Sequence, residues 1–174
     1  VDHIKKKNIL IDIYSFPYVI FMSKGLINKH KETFEREFGI KTQSWDGYQY
    51  NPQKIDIKKL IKEIEHLKNE CKNIRFGPNL SLEELSRYYS DGSWLPPKFS
   101  DYCLGPWIEA TLLPNGDVWA CHDFVVGNIN KDSFSEMWNG KKIIRLRKRL
   151  LSKGLFPGCR GCYYVYYCAE SEIS

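Results

Sequence analysis

The sequence predicts an α/β fold, α+β over the whole chain, built in two parts. Three observations carry this. Strand-like and helix-like segments alternate three times between residues 8 and 90. Breakers gather at Asp91-Gly92 and Pro96-Pro97. Beyond them a hairpin, two short helices and a cysteine-rich tail replace the alternation. The expected division is 1–92 and 100–170, with the boundary between 91 and 100.

Asn8 to Tyr14 is a largely β-branched apolar run and predicts a buried strand. Lys24 to Phe38 carries Ile27, Phe34 and Phe38 at helical spacing, with Gly39 as C-cap. Ile40 to Trp45 predicts a short strand, and Asp46 to Gln53 a loop. Asp56 N-caps a second helix whose apolar stripe runs through Ile57, Leu60, Ile61, Ile64, Leu67 and Cys71. Asn73 to Phe76 is the third strand, ending at Gly77-Pro78. Ser81 and Glu84 form a capping box that opens the third helix.

In the second part, Trp107 to Leu113 and Val118 to Cys121 flank Pro114-Asn115-Gly116-Asp117. Asn-Gly favours a tight hairpin turn. Pairing about it sets Leu113 opposite Val118, Leu112 opposite Trp119 and Ala110 opposite Cys121, which turns Cys121 to the buried face with Ile108, Ala110, Leu112 and Trp119. Ser133 and Glu136 form a second capping box. Lys141 to Leu151 is helical, with Ile143, Leu146, Leu150 and Leu151 broadly on one side.

The chain has 174 residues, 43% hydrophobic and 27% charged, with a net charge of +5. This is the profile of a soluble globular protein with room for a real core. The apolar run around Phe16 to Met22 is too short for a bilayer, and no signal peptide is expected. Six cysteines without a secretion signal predict a reduced, cytoplasmic setting, where clustered thiols serve metal or redox chemistry. The chain begins with Val rather than Met, as a fragment would.

Cys103 and Cys121 bracket the hairpin, and Cys159-Arg160-Gly161-Cys162 is a Cys-x2-Cys knuckle introduced by Pro157-Gly158. Four thiolates suit zinc or an iron–sulfur cluster, and spacing alone leaves both open. Cys71, on an apolar stripe, is expected to be a core thiol. His122 is expected beside the site or exposed; His3, His30 and His66, on polar stretches, are expected at the surface. The seven Lys and Arg residues between 141 and 153 read as a solvated face, so no nucleic-acid partner is expected. Tyr163, Tyr164, Tyr166 and Tyr167 are placed to pack around the site and shield it.

The segment from Cys103 to Cys162 resembles the SPASM/twitch auxiliary domain of radical S-adenosylmethionine enzymes. Cys103, Gly116 and Cys121 fit its Cys-x9–15-Gly-x4-Cys element. Pro114 to Cys121 looks like its hairpin, Val126 to Gly140 like its linker, and Leu155 to Tyr164 like its closing knuckle. Residues 8 to 90 resemble the last βα units of that superfamily's partial barrel. The resemblance implies a [4Fe-4S] cluster on Cys103, Cys121, Cys159 and Cys162, relaying an electron or positioning a peptide or small-molecule substrate. The longer SPASM pattern continues to Cys168, but Glu172 stands where its next cysteine would be, so one cluster is expected and Cys168 is at most an extra ligand. The Cys-x3-Cys-x2-Cys motif that holds the S-adenosylmethionine-cleaving cluster does not occur. The resemblance thus implies that S-adenosylmethionine and a second [4Fe-4S] cluster would belong to an N-terminal core of a longer enzyme, and that this chain is not expected to start the radical reaction alone. The alternative is a non-enzymatic zinc-stabilised interaction module.

Overall fold

A computed structural model describes residues 6–7, 11–49, 55–99 and 102–170; side chains of 167–170 lie outside the description. Strand β1 spans Tyr14–Pro17 and pairs in parallel with β2, Ile74–Gly77. Between them run helices α1 (Lys24–Phe38) and α2 (Ile57–Glu70). The Ser23 hydroxyl accepts the Leu26 amide proton at the start of α1, and Gly39 ends it in the left-handed region at φ 71°. Asp56 caps α2 by accepting from the Lys59 amide. Helix α3, Leu82–Ser90, opens on the expected Ser81–Glu84 capping box.

Two strand expectations shift. The first strand begins at Tyr14, and β1 is largely exposed rather than buried; residues 8–10 of the expected run lie outside the described residues. Residues 40–45 form no strand. The parallel contact to Met22 is made instead by Gln49, after a turn at Asp46–Tyr48. Thr42 and Trp45 turn inward to a buried hydrogen-bond network, which extended alternation would not allow.

The second part is a three-stranded antiparallel sheet with helices around it. A short helix α4, Gly105–Ile108, replaces the start of the expected first strand. Pro106, early in that helix, has no amide proton to lose and a preset φ. Strands β3 (Thr111–Leu112), β4 (Asp117–Cys121) and β5 (Phe124–Asn128) follow, with β5 an addition to the expected hairpin. Helices α5 (Phe134–Trp138), α6 (Lys141–Lys153) and α7 (Tyr163–Glu170) complete the chain. The Ser133–Glu136 capping box is formed.

The hairpin register is one residue off the expected one: Thr111 faces Trp119 and Leu112 faces Val118. A two-residue Asn-Gly loop would need an amide proton from Pro114, which has none. Closure moves to Leu113, whose N–H donates to the Asp117 carbonyl across 2.9 Å. Gly116, at φ 87°, takes the left-handed position in the longer loop. Leu112 and Ile108 are consequently exposed, while Val118 and Ala120 enter the core.

Two apolar cores run across residues 91–100. Tyr18, Phe21, Leu85, Tyr88 and Tyr89 pack with Val165 and Tyr166. Phe34 of α1 packs with Val118, Phe124, Ile143, Leu146 and Phe156. The two parts therefore share buried surface, the dominant stabilising term for such contacts. Among the described residues no helix is long and apolar enough to cross a membrane.

Candidate metal centre

The four predicted cysteines arrive from three places. Cys103 precedes α4, Cys121 ends β4, and Cys159 and Cys162 sit in and after the tight turn Pro157–Gly161. That turn is closed by Cys159 N–H donating to the Phe156 carbonyl and Cys162 N–H to the Cys159 carbonyl, each at 3.0 Å. All four line one cavity, together with Gly105, Pro106, Ala120, Leu150, Phe156 and Tyr164. A Cβ at Gly105 would meet the Cys103 sulfur at 3.3 Å, so glycine lets that thiol lie over the α4 backbone.

None of the four is disulfide-bonded. Burial pushes the thiols of Cys121, Cys159 and Cys162 up first, and neighbouring thiols push further. For Cys159 those neighbours are Cys162, Cys121 and Cys103. Cys121 is raised by burial and then by Cys162. Cys162 is pushed up to about 12, chiefly by burial. Cys121, Cys159 and Cys162 thus feel neighbouring thiols across the cavity, and burial favours their neutral form. Among the described residues no three His, Cys, Asp or Glu side chains converge as a single metal ion requires.

The register shift changes the surroundings of Cys121. Its face of β4 carries Trp119 and, across the hairpin, Thr111; Ala110 and Leu112 are not its partners. Cys121 is half-buried as a residue. It borders a second small cavity lined by Glu109, Thr111, Trp119, His122 and Tyr164. The Tyr164 hydroxyl donates to Glu109 across 3.0 Å there. His122 is half-buried against the rings of Trp45 and Trp119 and is not in the four-cysteine cavity.

Cys71 is buried, caps α2, and is absent from the cavity wall, as expected of a core thiol. The Cys168 side chain and the His3 position lie outside the described residues. His66 is exposed. Of the tail tyrosines, Tyr164 lines the cavity, Tyr166 is buried beneath the knuckle, and Tyr163 is exposed. On α6, Arg147 and Arg149 turn back to bond Pro106, Trp138, Glu37 and Gly154, leaving Lys141, Lys142 and Lys148 to the solvated face.

His30 corrects the surface expectation. It is 2% exposed, and lies at the centre of a network with Asp123, Thr42, Trp45 and Gly158. The polar residues around it in sequence concealed that it faces the knuckle from α1. Arg160, whose basic side chain gives no sign of burial in the sequence, is buried within the knuckle. Gly161 serves by close approach rather than by an unusual backbone angle: a Cβ there would meet Ile20, Trp45 and Met22 at 3.1–3.3 Å.

The donor set fits an iron–sulfur cluster: soft thiols only, facing one another, with Leu150, Phe156 and Pro106 excluding water around them. No curated protein and no solved structure matches the chain. Residues 103–163 match the family model of SPASM, an iron–sulfur cluster-binding domain, and all four cavity cysteines fall within the matched span.

Proposed function

We propose that Cys103, Cys121, Cys159 and Cys162 hold one [4Fe-4S] cluster as the auxiliary site of a radical S-adenosylmethionine oxidoreductase or maturase. The observation that carries this reading is the single cavity framed by four thiols of the matched segment. Four thiolates also suit zinc; the match of residues 103–163 to an iron–sulfur cluster-binding family is what supports the cluster over it. The S-adenosylmethionine-cleaving core, with its own [4Fe-4S] cluster, would be an N-terminal part of the same cytoplasmic protein.

When bound, such a cluster supplies one-electron chemistry. Ligation by four cysteines leaves no iron position open, which favours relaying an electron from a peptide or small-molecule substrate over holding that substrate. The chain's own residues prepare the site. The thiols give up their protons on loading. Leu150 and Phe156 keep water away, and His30 with Asp123 fixes the loops that carry Cys121 and Cys159.

Anaerobic reconstitution with ferrous iron and sulfide tests the reading. Uptake of four irons and four sulfides per chain, with a visible sulfur-to-iron charge-transfer band, is expected. Cys→Ala at any of the four cavity positions should abolish or badly weaken uptake, whereas Cys71→Ala should leave it intact. Binding of zinc alone without that band would establish the zinc-stabilised module instead.

A further inference from the structure

Arg160 lies between two of the proposed ligands and is 2% exposed. Its Nε donates to the Trp94 carbonyl at 3.1 Å, and its Nη2 to the Tyr88 and Asp91 carbonyls at 2.9 and 3.3 Å. Nη1 donates to the Phe21 carbonyl. The guanidinium also lies over the rings of Phe21 and Tyr88, 4.5 and 4.2 Å from their centroids. Its hydrogen bonds are therefore well supplied, but by neutral groups.

Its charge is a separate matter. Among the described residues no carboxylate forms an ion pair with Arg160. Asp123, the buried acid beside the cavity, is committed to His30, Thr42 and Trp45. The C-terminal end of α3, which presents the Tyr88 and Asp91 carbonyls, offers about half an elementary charge. A buried guanidinium is costly without a full counter-charge. Arg160 is joined by one and two peptide units to Cys159 and Cys162, and consecutive Cα atoms are about 3.8 Å apart, so even with its side chain turned toward the α3 carbonyls its charge lies on the order of 10–15 Å from their sulfurs. Tyr166, four residues after Cys162, donates its hydroxyl to the Arg160 carbonyl and so ties the knuckle backbone to the same core.

We propose that Arg160 is the buried counter-charge of the cluster held by Cys159 and Cys162 and raises its reduction potential. This rests on the cluster reading of the site. On reduction one electron enters the cluster from the external reductant, no bond forms or breaks, and Arg160 keeps its proton. A fixed cation nearby favours the reduced, more negative form, and in a buried setting solvent screens it little.

The test is redox titration with dithionite of the reconstituted full chain and of Arg160→Lys and Arg160→Gln. Both variants lose the guanidinium fork, and they differ in charge. The Gln variant should lower the midpoint by about 59 mV, a tenfold change in the one-electron equilibrium. The Lys variant should stay within about threefold of the unmodified chain on the same scale. Equal midpoints for Lys and Gln, with clusters intact, would overturn the proposal. If the Gln variant does not fold, Arg160→citrulline, installed by ligation at Cys159, removes the charge while keeping most donors; an unchanged midpoint there also overturns it. A wild-type chain that takes up no cluster would instead refute the underlying reading.

Discussion

His30 donates from Nε2 to the Asp123 carboxylate across 2.9 Å, while its Nδ1 accepts the Gly158 amide proton at 3.1 Å. The amide bond assigns the tautomer, because only an unprotonated Nδ1 can accept. One imidazole thus joins α1 to the turn after Cys121 and to the residue before Cys159. The two cysteine loops are far apart in sequence and are fixed relative to each other by this ring.

Asp123→Asn should destabilise the chain by about 1–3 kcal/mol, since it replaces a carboxylate accepting from His30, Trp45 and Thr42 by an amide whose NH2 would face one of those buried donors. Burial pushes the Asp123 carboxyl up, but hydrogen bonds from His30 and Thr42 outweigh it and hold the group below its ordinary 3.8. A carboxylate lowered on folding contributes stability above its unfolded pKa and loses it as pH falls through the folded one. Denaturant midpoints measured from neutral pH into acid should therefore fall below pH 3.8 in the parent, with this component missing in the Asn variant. Matching acid profiles for the two chains would refute the linkage.

Gly158→Ala places a Cβ 2.9 Å from the His30 ring and 2.9 Å from the Trp45 indole nitrogen. Both neighbours are buried and bonded, so neither can retreat freely. A loss of about 1–3 kcal/mol is expected, in line with overpacking elsewhere. Iron uptake after reconstitution should drop with it, because the displaced ring carries the Cys121 and Cys159 loops. Full uptake at parental stability would show that the ring does not hold those loops.

The thiols give a second pH dependence, of opposite sign. Cys162 is pushed up to about 12 by burial, and Cys121 and Cys159 are also raised from an ordinary 9.0. An acid raised on folding contributes stability below its unfolded pKa, and that stability is lost as pH rises toward the folded value. The cluster-free chain should thus unfold at lower denaturant as pH climbs past about 9. The loaded chain, whose thiolates are already committed, should lack this alkaline weakening. Thermal melts of both forms across that range decide the matter.

Local signals in the sequence were sufficient for the elements that local chemistry governs. Ser81–Glu84 and Ser133–Glu136 cap their helices, Gly39 ends α1, and the cysteine spacing marks the residues that meet. Each of these depends on groups a few residues apart, or on a side-chain type that has few other uses. The hairpin was half legible: Asn115-Gly116 located the turn, while the missing Pro114 amide moved its register.

Tertiary structure alone decided the rest. His30 sits among polar neighbours on α1, and only the docking of the knuckle onto that helix buries it. Arg160 reads as an ordinary basic residue until the carbonyls of Phe21, Tyr88, Asp91 and Trp94 converge on it. The sequence determined which thiols line one cavity, because a cysteine's side-chain type and the spacing of the knuckle are legible along the chain. Which charges surround those thiols depended on segments more than sixty residues away, brought in by apolar burial that has no direction along the chain.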